Sequence, residues 1–169
     1  MGSRFLILTF FTMIISSCNF SHDKPNLQLA PGKSEMAELN RYLIRKDREL
    51  IQSYIERKNL KMKETSSGLW YIIISEGKGK YLTDKDKVEM EYKCSLLDGT
   101  SCYSSTELGP KVVVLGKTSL ESGLDQGLRM LKPGGEALFI LPPFMAYGLP
   151  GDGKKIPSRA VIVYSVRIR

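Results

Sequence analysis

The stretch SLESGLDQGLRMLKPGGEALFIL, Ser119 to Leu141, decides the fold. Leu120, Leu124, Leu128 and Leu131 recur at the spacing of helical turns, so Ser119 to Leu131 reads as an amphipathic helix that the following Pro-Gly-Gly stops. The period then changes. EALFIL, 136–141, is a short apolar run of the kind a buried strand shows. Upstream, LWYIIIS at 69–75 and KVEMEYKCSL at 87–96 also read as strands. In the second, Val88, Met90, Tyr92, Cys94 and Leu96 alternate with Glu89, Glu91, Lys93 and Ser95, so one face is buried and the other wet. A short strand around Cys102 to Ser104, then KVVVLG and the closing VIVYSVRIR, complete the set. Antiparallel strands with a single helix among them predict an α+β fold, a curved antiparallel β-sheet wrapped over one short α-helix.

Between the last two strands runs FMAYGLPGDGKKIPSRA, 144–160, opening on an aromatic and punctuated by glycine and proline. Loops of this length in compact domains are usually lids or binding loops. At the other end of the chain, Ser34 is a suitable N-cap with Glu35 in the first turn, and helical periodicity runs to about Lys61. Leu39, Leu43, Leu50 and Tyr54 recur at turn spacing, widened by Ile44, Ile51 and Ile55. Nine basic and five acidic residues between Lys33 and Lys63 give this segment a charged face. It reads as a helix or helix pair packed on the domain, or as a docking face for a protein partner. The resulting division is a signal at 1–17, a flexible tether at 18–33, a helical extension at 34–63 and the main domain at 64–169.

Composition narrows the chemistry. A hydrophobic content of 42% supports a packed core. The net charge of +7 is spread among charges of both signs, with no continuous basic stripe for a phosphate backbone, which argues against nucleic acid binding. His22, the one histidine, lies in the tether, so a Ser-His-Asp or Cys-His nucleophile is excluded from the main domain. No CxxC or CxxH spacing points to a metal. Cys94 and Cys102 flank Asp98-Gly99, a strong hairpin turn signal. A regular two-residue hairpin pairs Leu97 with Thr100, sets Cys102 opposite Ser95 and Cys94 opposite Tyr103, and points the thiols to opposite faces. They are expected to be free and structural.

The first residues, MGSRFLILTFFTMIISSC, carry one Arg, an apolar run from Phe5 to Ile15 and small residues before Cys18. The run is shorter than the ~20 apolar residues that span a bilayer and suits the core of a secretory signal. Ile15-Ser16-Ser17-Cys18 resembles the bacterial lipobox, which implies lipidation at Cys18 and a membrane anchor. Asn19 in place of an Asp-type retention signal implies the outer membrane, with the domain facing the periplasm.

The ordered set VEMEYKCSLLDGT, VVVLG, GLDQGLRMLKPGGEALFILPPFMAYG and IPSRAVIVYSVRI resembles the FKBP-type peptidyl-prolyl isomerases over about residues 69–168. With the lipobox and the helical segment from Glu35, the chain further resembles the gliding-motility-associated FKBP-like lipoproteins of Bacteroidota. The family resemblance implies catalysis of X-Pro isomerisation in proline-containing segments of exported proteins, without a cofactor. By matching position, Tyr92, Tyr147 and Tyr164 are the implied catalytic residues, two as aromatic walls and Tyr147 as a hydroxyl donor to a substrate carbonyl. Val113, Leu120, Leu124 and Ile156 are implied to line the pocket, with the Glu121 backbone N–H as a further donor.

The sequence departs from the family at two places. Cys102 and Tyr103 stand where a Phe-Asp pair is usual, and Leu124 stands where many members carry a floor tryptophan. The hairpin pairing puts Tyr103 on the Tyr92 face, so Tyr103 is expected to replace the missing Phe as a wall. Elementary chemistry is compatible with the reading. A planar X-Pro amide resists rotation by about 18–20 kcal/mol because twisting breaks resonance. A dry aromatic pocket with one or two fixed donors can favour the twisted form with no nucleophile. The altered wall and floor also suit a second reading, a peptide-binding chaperone or assembly lipoprotein of a motility or secretion machine with weak or no turnover.

Overall fold

The structure is a computed structural model, and it describes residues 32–169; the signal, Cys18 and most of the tether lie outside the described residues. Helix α1, Lys33–Arg57, is followed by β1, Lys63–Glu64, and β2, Trp70–Ser75. Next come β3, Lys87–Leu96, β4, Ser101–Ser104, a single turn of helix α2, Ser105–Leu108, and β5, Lys111–Val114. Helix α3, Ser122–Leu128, precedes β6, Glu136–Leu141, and β7, Ile162–Ile168, closes the chain. The strands form one seven-stranded sheet in the order β1-β2-β6-β7-β3-β4, with β5 also on β3. Every pairing is antiparallel.

The sheet buries two faces. On the inner one, Leu124, Leu128 and Leu131 pack with Met90, Phe139, Leu141, Ile162 and Tyr164 in the main core. Close approach of α3 depends on two glycines four residues apart. A Cβ on Gly127 would lie 2.8 Å from the Phe139 ring, and one on Gly123 would lie 2.7 Å from Leu141 Cγ. On the outer face, Trp70, Ile140, Val161 and Val163 pack with Ile51 of α1 in a second, smaller core. The double coverage explains why β6 reads as a nearly continuous apolar run: Phe139 and Leu141 face α3, while Leu138 and Ile140 face α1.

Several local expectations are corrected. The N-cap of α1 is Gly32, whose N–H donates to the Glu35 carboxylate at 3.0 Å, so Glu35 rather than Ser34 closes the end. The helix stops at Arg57, ahead of Lys61, and the chain then adds β1 to the sheet edge. Its apolar band is only partly used: Ile51 is buried, whereas Met36, Leu39, Tyr42, Ile44 and Leu50 are exposed. Helix α3 is shorter than 119–131, because Leu120 and Glu121 belong to the extended approach from β5. In the β3–β4 hairpin Cys94 does pair with Tyr103, but Ser95 pairs with Ser101 across a bulge. That extra residue turns Cys102 inward. Both thiols therefore enter the same core rather than opposite faces, and both are unbridged.

Candidate functional site

Ten residues singled out from the sequence meet at the inner end of the sheet, beside the start of α3. Tyr92 comes from β3, Cys102 and Tyr103 from β4, Val113 from β5, and Tyr164 from β7. Leu120 and Glu121 lead into α3, which carries Leu124, and the 144–160 loop supplies Tyr147 and Ile156. Nine of them belong to or pack against the main core, the exception being Glu121, which is polar.

Their burial is graded. Cys102, Val113, Leu124, Ile156 and Tyr164 are buried, whereas Tyr92, Tyr103, Leu120 and Tyr147 are half-buried and form the rim. The Tyr92 and Tyr164 rings are tilted by 51° with centroids 6.4 Å apart, an ordinary aromatic contact. Tyr103 lies across from Cys94, and its hydroxyl donates to Asp152. Asp152 shapes the loop as well, accepting from the Lys154 and Ile156 N–H groups at 2.8 Å each. Lys155 covers the Tyr103 ring at 5.4 Å, and the Cys102 thiol donates to the Lys155 carbonyl at 3.7 Å. The loop is thus clasped onto β4 by the two residues that replace the family's Phe-Asp pair.

The loop's own turns need glycine at one point above all. Gly151 has φ +71°, and a Cβ there would lie 2.3 Å from the Ile156 carbonyl oxygen. The Asp152 N–H donates to that same oxygen at 3.1 Å, which brings Ile156 back under the rim.

At the centre lies a feature that the sequence reading missed. The Glu121 side chain, only 9% exposed, turns into the site and accepts the Tyr164 hydroxyl at 3.0 Å through Oε1. Its Oε2 is buried with no hydrogen-bond partner. Tyr147 sits beside the same carboxylate. Burial, then its contact with Glu121, pushes the Tyr147 hydroxyl well above the usual phenol value. Burial, reinforced by the Glu121 charge, does the same to Tyr164, and burial pushes the Cys94 thiol up to about 12. Both phenols are donors at neutral pH. Outside this trio, Lys111, Ser119, Leu120, Glu121, Ala146 and Tyr147 line an open recess of about 280 Å³. Among the described residues no cluster of three or more His, Cys, Asp or Glu could hold a metal.

A family model for FKBP-type peptidyl-prolyl cis-trans isomerases matches residues 78–169. The chain belongs to the FKBP-type peptidyl-prolyl cis-trans isomerase family. Among relatives of this FKBP-type chain, a probable FkpA of Neisseria meningitidis serogroup B is 37% identical over 107 residues, 63% of this chain and 39% of the relative. FkpA of Escherichia coli K12 is 30% identical over 123 residues, 73% of this chain and 44% of the relative. The crystal structure of FkpA from Escherichia coli superposes with a TM-score of 0.65 at 28% identity, covering 80% of this chain and 63% of that one. AtFKBP13, at 24% identity and a TM-score of 0.59, shares the fold. This FKBP-type chain spans half or less of the length of the curated relatives it matches first.

Proposed function

We propose that this chain is a peptidyl-prolyl cis-trans isomerase acting on X-Pro bonds of exported proteins, by desolvation in an apolar and aromatic pocket and without a covalent intermediate. The observation that carries the reading is the convergence of three rim tyrosines, Tyr92, Tyr103 and Tyr147, over an apolar floor of Val113, Leu124 and Ile156. A prolyl ring seated among Tyr92, Tyr103 and Tyr164 loses its water, and the planar, more dipolar amide is disfavoured relative to the twisted one. Tyr147 donates its hydroxyl, and Glu121 its backbone N–H, to the carbonyl next to the rotating bond. Leu120 and Cys102 complete the walls.

In the same proposal the chain is held by lipid at Cys18 on the periplasmic side of the outer membrane, with residues 18–33 as the tether. No helix among the described residues is long and apolar enough to cross a membrane, so attachment in this reading rests on Cys18. The lipobox-like motif and the α1 extension support kinship with the gliding-motility-associated FKBP-like lipoproteins of Bacteroidota, with the exposed half of α1 as a partner face. Changing Cys18 to Ala should release the protein from the membrane fraction and abolish palmitate labelling; retention in that fraction would count against the anchor.

A second reading, a peptide-binding assembly lipoprotein with little turnover, is favoured by one observation. The floor residues Val113 and Leu124 are fully shielded from solvent, and the Tyr164 hydroxyl is already engaged by Glu121. Exchange spectroscopy on a Leu-Pro peptide separates the two. Acceleration of cis-trans exchange by substoichiometric protein supports the isomerase; peptide binding with no acceleration supports the second reading.

A further inference from the structure

We propose that Glu121 is a specificity-determining residue, and that the pocket selects prolyl segments in which a lysine or arginine immediately precedes the proline. The inference rests on the prolyl-pocket reading above and adds the chemistry of the segment. Glu121 is nine-tenths buried, one carboxylate oxygen is taken by Tyr164, and the other is buried without a hydrogen bond of normal geometry even though the Tyr147 hydroxyl lies beside the carboxylate. A buried carboxylate oxygen without a hydrogen bond is costly, and the natural remedy is a donor brought by whatever enters the site.

The surroundings say what kind of donor fits. The neighbouring core residues Leu124 and Val113 are fully buried and apolar, and offer none. Beside the carboxylate lie two phenols, and towards solvent the recess of about 280 Å³ opens past Tyr147, Ser119 and Lys111. Lys111 makes no ion pair with Glu121 among the described residues. An incoming proline has no N–H of its own, so the donor must come from a neighbouring residue. The carbonyl that Tyr147 and the Glu121 N–H would hold belongs to the residue before the proline, which brings that residue's side chain nearest to Oε2. A lysine or arginine there completes the carboxylate with a charge-assisted bond. A leucine leaves it unpaired, and a glutamate sets two like charges together.

The test uses three peptides identical except for Lys, Leu or Glu before the proline, the full-length protein and its Glu121→Gln variant, with calorimetric binding and exchange kinetics read in parallel. The wild type should bind and turn over the Lys-Pro peptide about tenfold better than Leu-Pro, and better still than Glu-Pro, as expected for a hydrogen bond between charged groups. In Glu121→Gln the order should collapse to within about twofold, and in the wild type the preference should shrink as salt is raised. The salt arm stands even if the variant folds poorly. Turnover with no charge preference overturns this inference and leaves the isomerase reading intact. A Lys preference in binding without turnover supports it and overturns the isomerase reading. A uniform gain for all three peptides in Glu121→Gln makes the carboxylate a plug and overturns the inference, and binding of none of them overturns both.

Discussion

Nη2 of Arg159 lies 2.9 Å from each carboxylate oxygen of Asp47, joining the loop that carries Tyr147 and Ile156 to helix α1. Asp47 is 6% exposed, and the Arg159 N–H donates to the Gly148 carbonyl at 3.1 Å, next to Tyr147. The N-terminal helix therefore braces the candidate site from behind. Asp47→Leu leaves the guanidinium facing an apolar wall, and because Arg159 is 29% exposed the loss should fall between that of a buried and a surface pair, about 2 kcal/mol. Urea unfolding would measure it. Replacing both residues should cost less than the sum of the two single changes, since removing one partner strands the other.

Adjacent residues of α1 should behave in opposite ways. Ile51 is 1% exposed against Trp70, Ile140, Val161 and Val163, while Leu50 is 57% exposed. Ile51→Ala should lower the unfolding free energy by about 2–5 kcal/mol, the range for a buried large-to-small change. Leu50→Ala should stay within about 0.5 kcal/mol of wild type. Equal losses at the two positions would mean that α1 docks by a different face.

Stability should also fall in alkali with a recognisable onset. Burial raises the Cys94 thiol from its ordinary 9.0 to about 12 in the folded protein. Below pH 9 both states hold the proton and Cys94 adds no pH dependence. Above it the unfolded chain releases the proton and the folded one keeps it, so stability drops with rising pH and levels off near 12. Between pH 9 and 10 the wild type should lose about 1 kcal/mol more than Cys94→Ala. Parallel curves for the two proteins would contradict the assigned burial.

The strands at 87–96 and 136–141 were legible from the sequence because their periodicity records what each face meets: alternation in the first, and apolar residues on both faces of the second. The register of the next hairpin was not. Leu96 N–H donates to Thr100 at 2.9 Å and Thr100 N–H to the Asp98 side chain at 2.8 Å, a wider turn than a two-residue hairpin. The bulge that follows depends on how Cys102 packs, which no local pattern records. Asp47 was equally hidden, since in RKDRE it looks like one more solvated charge and its partner is 112 positions away. For the site, matching positions singled out residues that lie together in the structure, nine of them in or against the main core. The direction of the Glu121 side chain was out of reach, although a glutamate between Leu120 and Leu124 in a helix-entry segment was the signal available.

The central claim is that Tyr147 acts on the prolyl bond in this pocket, and the most direct measurement is kcat/KM for a proline peptide with wild type and Tyr147→Phe. Loss of one hydroxyl donor, about 1.4 kcal/mol of transition-state preference, should lower kcat/KM about tenfold while leaving the fold intact. A Phe variant as fast as wild type, or a wild type no faster than the uncatalysed peptide, would contradict it.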